Sequence, residues 1–188
     1  MKLRKSILIT FLFSLNSLAI AADTIPETEL ATYRAIVSEL GETLKSELLK
    51  ALQAGGPAAA LATCNEKAIP VTTTIAEKHG LKVGRTSLKL RNPKNAPDEW
   101  ETKVLKNFVE RQVQGKNLSK MEFYEVFEKD GKKQVRYMKA IPVAEPCLTC
   151  HGTEIVPEIS AKLKTLYPED KATGFKLGDL RGAFTLIK

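Results

Sequence analysis

The chain has 188 residues, 43% of them hydrophobic, which suits one domain with a packed core and leaves little room for two. Its formal charge is +7, but an N-terminal segment read below as removable carries three basic and no acidic residues, leaving +4. So small a surplus, with both signs interspersed, gives no case for nucleic-acid binding and marks the lysines as solvated surface able to steer a partner.

Residues 1–21 read as a secretory signal. Lys2, Arg4 and Lys5 precede an apolar run from Ile7 to Phe13, continued by Leu15 and Leu18, and Ala19-Ile20-Ala21 is a small-residue cleavage site. The run is short for a membrane span, so cleavage is expected over an uncleaved anchor, and no cysteine follows to take a lipid. The mature chain, 22–188, is expected to be one soluble domain in a bacterial periplasm, with no stable membrane insertion.

From Thr24 to about Ala54 the apolar residues Leu30, Tyr33, Val37, Leu40, Leu44, Leu48 and Leu52 recur at threes and fours, which predicts a helix. Gly55-Gly56 ends it, and Pro57 is placed to start a second helix running to His79-Gly80. The buried stripe of that helix is expected to be Leu61, Cys64, Ala68, Val71 and Ile75, with a kink or restart at Pro70. Val83 to Arg91 reads as a strand and Asn92 to Pro97 as a loop. Asp98 is placed to cap a helix containing Trp100, Val104, Leu105 and Phe108. Met121–Glu128 and Lys133–Pro142 form a hairpin across Asp130-Gly131. Pro157 to Leu166 follows as a short helix, Tyr167 to Gly178 as an irregular segment, and Leu180 to Ile187 as a closing strand. Strands and helices out of strict alternation imply an α+β domain with an antiparallel sheet and an N-terminal helical pair.

Cys147-Leu148-Thr149-Cys150-His151 carries the chemistry. Two thiols three positions apart can each add across a vinyl group of one haem, and the adjoining histidine can bind the iron as proximal ligand. A thioredoxin-like dithiol would need a βαβ setting, which the surrounding pattern lacks. A zinc site would need four ligands, with only Cys64 and His79 left to complete it. Covalent haem c, one per chain, is the favoured reading.

The opposite side of the iron could be taken by Cys64, His79 or Met138, or stay open or water-bound. Cys64 is the odd cysteine of an exported chain, although a leftover buried thiol is more often core. His79 sits where a histidine commonly meets the last helical carbonyls, and Met138 sits mid-strand. Arg85, Arg91, Arg136, Lys139 and Arg181 are candidate partners for the haem propionates, since an arginine fork matches a carboxylate. Phe175 and Phe184 are candidates for packing on the macrocycle.

Gly84 to Pro93, Arg136 to Pro142, the C-x-x-C-H site, Asp170 to Phe175 and Gly178 to Phe184 together resemble the PAS-like single-haem c family first characterised from cyanobacteria. The resemblance spans nearly the whole mature chain. It implies a PAS-like antiparallel sheet and iron held between the histidine of C-x-x-C-H, here His151, and a cysteine of an N-terminal helix, here Cys64. With both axial positions filled, the expected roles are electron transfer or redox sensing with a separate redox or signalling partner. The alternative is a gas sensor in which a small ligand displaces Cys64. No nucleophile–base constellation stands out, so an enzyme is not expected.

Overall fold

The computed structural model describes residues 24–188; the secretory signal read at 1–21 lies outside them. The longest element is α1 (Glu27–His79), a helical hairpin rather than a rod. Its dihedrals leave the helical region at Gly55 and Gly56, and Gly56 turns at φ 66°, which glycine adopts without steric cost. The two arms then run back along each other. Glu39 on the first meets Lys78 and His79 on the second, and Glu47 meets Lys67. The expected helical pair is therefore present. The kink or restart expected at Pro70 is not: helical dihedrals continue through it, and the proline lies exposed. Solvent can satisfy the carbonyl that it leaves unpaired.

Four strands form one antiparallel sheet in the order β1-β4-β3-β2, made of Lys82–Thr86, Leu180–Ile187, Lys132–Pro142 and Glu122–Lys129. β2 and β3 join across Asp130-Gly131, both at positive φ, as the two-residue turn requires. Alternation along β3 sends Val135 and Tyr137 to one face and Met138 and Ala140 to the other. The first arm of α1 covers one face through Tyr33, Ile36, Val37 and Leu40. The other is covered by α2 (Glu99–Val113) through Val104, Leu105 and Phe108. Asp98 caps α2 in a reciprocal capping box with Glu101.

β1 stops at Thr86, five residues short of the expected Arg91. The Ser87 hydroxyl accepts from the Lys89 amide (3.1 Å) and donates to the Arg181 carbonyl (2.7 Å), turning the chain out of the sheet. Gly182 lets that turn close. A side chain there would collide with the Thr86 carbonyl. C-terminal to β3 lie α3 (Glu145–His151) and α4 (Pro157–Leu166), packed at the end of the sheet against the second arm of α1. Among the described residues no helix is long and apolar enough to cross a membrane.

Candidate functional site

The C-x-x-C-H motif is α3 itself, a two-turn helix entered through Pro146 directly after β3. Helical spacing places Cys147 and Cys150 on adjacent turns of one side, with His151 closing the helix. The sheet neighbours are antiparallel, unlike the βαβ surroundings of a thioredoxin-type dithiol. Among the described residues no three His, Cys, Asp or Glu side chains cluster as a metal-binding group.

His151 is held by the segment after α4. Its Nδ1–H donates to the Ala172 carbonyl at 2.6 Å, which leaves Nε2 as the nitrogen with the lone pair, turned towards Arg91 Nη1. Metal-binding histidines are commonly oriented in this way. Burial first, then the Arg181 and Arg91 charges, push its pKa down to about 3, so the ring is neutral at physiological pH. The Phe175 ring meets it edge-on, 6.2 Å between centroids at 85°. Backbone bonds from Gly174 to the Gly152 carbonyl and from Phe175 to the His151 carbonyl, both 2.9 Å, fix that segment against the motif.

Arg91 is the clasp. Its Nε donates to Asp170 at 3.1 Å and its Nη2 forms an ion pair with the same carboxylate at 2.9 Å, both side chains being about nine-tenths buried. Nη2 also donates to the Cys150 and Ala172 carbonyls, and Nη1 lies 3.4 Å from His151 Nε2. Asp170 in turn accepts from the Ala172 amide at 2.8 Å, so one carboxylate anchors both the arginine and the loop that orients the histidine.

Cys64 projects from the second arm of α1 into the same neighbourhood. Its stripe was expected to be buried; Leu61 and Ile75 at its two ends are, but Cys64 between them is exposed. Enough protein surrounds the thiol to push its pKa up, with Arg85 and Arg91 pulling the other way. Burial first, and then a negative charge on Cys64, push Cys150 and Tyr167 up as well. A cleft of about 470 Å³ opens beside it, walled by Asn65, Ile69, Arg91, Pro93 and Tyr167, a size within the usual range for small-molecule sites.

Of the basic residues singled out in the sequence, Arg85, Arg91 and Arg181 come together here and Arg136 and Lys139 do not. Arg136 points to the α2 face, where it pairs with Asp98 and lies 4.3 Å over the Trp100 ring. Lys139 sits 3.8 Å from Glu122. Arg181 donates to the Ser87 hydroxyl (3.1 Å) and the Lys89 carbonyl (3.2 Å), neither of them charged, and burial lowers its pKa to about 10. Arg85 has no hydrogen bond or ion pair among the described residues, although burial disfavours its charge. Phe175 lies beneath Arg181 and Lys89, at 5.4 and 4.8 Å. Phe184 lies apart from it, with its ring tip against Gly41 of α1.

His79 and Met138, the other candidates for the sixth ligand, are otherwise engaged. His79 Nε2 lies 2.8 Å from Glu39, and Met138 is fully buried under α2. Sequence reasoning missed Asp170, Tyr167 and the Ala172 carbonyl. Only Asp170 left a trace, as the one acid within its motif segment.

This donor set suits a haem. Two thiols lie on one helix, a neutral imidazole presents a lone pair, and a further thiol stands nearby on another element. Three guanidiniums stand with one carboxylate among them, an excess of two positive charges that two propionates would balance.

The family model described as Tll0287-like matches residues 17–187. Among solved structures the chain is similar to the crystal structure of the cyanobacterial heme-protein Tll0287. The two share 27% sequence identity and a TM-score of 0.59, over 87% of this chain and 95% of that one. No curated protein matches the chain.

Proposed function

The chain belongs to the Tll0287-like family, and from that premise we propose that it is an exported one-electron protein carrying a single covalent haem c. Cys147 and Cys150 would carry the haem through thioethers, His151 and Cys64 would hold its iron, and the sheet with its helical cover would be a PAS-like frame. The observation that carries this reading is that the arm of α1 bearing Cys64 packs beside the motif: Leu61 shares an apolar cluster with Cys150, and Asn65 shares a cleft with Arg91.

Bound haem would supply the one-electron iron couple. The chain's own residues set its surroundings. Ala172 fixes the His151 tautomer, Asp170 holds Arg91 against the motif, and Arg85 and Arg181 offer unspent charge to the propionates. A thiolate opposite an imidazole favours ferric iron, so a low reduction potential is expected. Two strong protein ligands leave no position for activating peroxide or oxygen, which favours a carrier or redox sensor over an enzyme. Its partner would be a separate redox or signalling protein.

A second reading, a gas sensor in which a small ligand displaces Cys64, is favoured by one feature. Cys64 is exposed beside an open cleft, on a helical arm hinged at Gly55-Gly56. Replacing Cys64 with Ala should leave the haem attached but change the ferric absorption and electron paramagnetic resonance spectra. Spectra identical to wild type would remove Cys64 from the iron.

A further inference from the structure

Four of the eight large apolar residues that are exposed among the described residues, Leu88, Val109, Val113 and Leu177, gather on one side of the molecule. Leu88 and Val109 line a groove of about 310 Å³ between α2 and the turn after β1. Val113 follows one turn along α2, and Gln112 donates to the Gly178 carbonyl at 2.9 Å, bringing Leu177 to the same rim. Isolated exposed apolar residues are ordinary, but a contiguous group of this kind marks an interaction surface.

Its border carries an excess of basic side chains. Lys106 stands one turn before Val109, Lys176 adjoins Leu177, and Lys89 lines the groove, all exposed; against these three, Asp179 is the one acid in the lining. The floor reaches the site, because Phe175 lines the groove and its ring abuts His151 edge-on. An apolar centre with a charged rim, backed by a side chain touching an iron ligand, suits a transient partner that exchanges electrons. Such interfaces are small and are steered by charge.

We propose that this groove is the docking surface for an acidic one-electron redox protein, and that Phe175 is the contact through which the docked partner reaches His151. The inference rests on the haem reading above. In the transfer one electron leaves the partner's reduced iron–sulfur cluster, which is oxidised, and ferric iron becomes ferrous; no bond or proton moves. A concave floor over an iron ligand favours a protein over a lipid surface, which would need only the apolar and basic rim.

The test uses the haem-loaded full chain and an acidic plant-type [2Fe–2S] ferredoxin as probe, with binding measured at low ionic strength and carbodiimide cross-links mapped by mass spectrometry. Cross-links should fall on Lys106 and Lys176. The double variant Lys106→Glu/Lys176→Glu should weaken binding about tenfold or more, since rim charges act on encounter. The remote pair Lys45→Glu/Lys129→Glu, with the same change of charge, should stay within about twofold. Reduction by dithionite should be the same in all three. Equal losses from both pairs, no ferredoxin binding by wild type, or preferential binding to phosphatidylglycerol vesicles would overturn the docking surface. Haem absorbance in each sample separates the two layers: wild type without haem sinks the underlying reading, whereas normal haem without docking sinks this one alone.

Discussion

Around Glu122 every charge has an opposite within reach, whereas around Arg85 three guanidiniums stand with a single carboxylate among them, and it pairs with Arg91 alone. Glu122 takes Arg34 Nε on both its oxygens at 3.0 Å, accepts the Tyr137 hydroxyl at 2.9 Å and lies 3.8 Å from Lys139. Arg34 holds its carboxyl below the usual range, and Glu27 takes what remains of the guanidinium. That cluster is closed and fastens α1 to β2 and β3. At the other end Asp170 pairs only with Arg91, and Arg85 and Arg181 stay half-buried, their charges disfavoured by desolvation, with no carboxylate of their own. Burying a charge without a partner costs stability, so the second cluster makes physical sense as a site built for an anionic ligand.

Substitutions in the two clusters should behave differently. The largest loss is expected from Asp170→Asn, which strips Arg91 of its buried partner and loosens the loop orienting His151. About 3 kcal/mol should be lost from the haem-free chain, read as the shift of its urea midpoint. A loss below about 0.5 kcal/mol would mean that Arg91 finds solvent instead.

Arg85→Met should act in the opposite sense on the same protein. Removing an unpaired, half-buried charge is expected to leave the haem-free chain as stable as wild type, or to gain under about 1 kcal/mol. In the haem-loaded chain the loss of positive charge should lower the reduction potential, measured by voltammetry. Destabilisation without haem and an unchanged potential with it would show that Arg85 is structural, like Arg34.

The smallest effect belongs to the closed cluster. Because Arg34 depresses the Glu122 carboxyl, this pair stabilises the fold above the unfolded-state carboxylate range and loses that contribution as pH falls through the lowered folded value. Glu122→Gln should flatten the acid limb of stability against pH by under about 1 kcal/mol, the group being partly solvated. An acid limb parallel to wild type would deny the link.

Local chemistry made much of this fold legible. Gly55-Gly56, the Asp98 cap and the Asp130-Gly131 turn each impose a backbone geometry that tertiary context has no reason to override. The motif was legible because its two cysteines and histidine are contiguous in sequence and form one short helix, with no distant partner needed to bring them together. What stayed hidden depended on partners distant in sequence. Leu88 and Leu90 continue the alternation of β1, but Ser87 and Gly182, 95 residues apart, bend the chain away. Arg136 and Arg85 look alike in sequence, and only register separates them. Arg136 pairs opposite Ile187 on the α2 face, and Arg85 opposite Phe184 on the α1 face. Cys64 likewise shares a helical stripe with the buried Leu61 and Ile75 yet is exposed, which periodicity alone does not reveal.

The most direct test of the central claim is the intact mass of the protein produced in a periplasm with haem-maturation machinery. The expected mass is that of residues 22–188 plus one haem, with the added mass mapping to the peptide that contains Cys147 and Cys150. A mass equal to the bare processed polypeptide would contradict it.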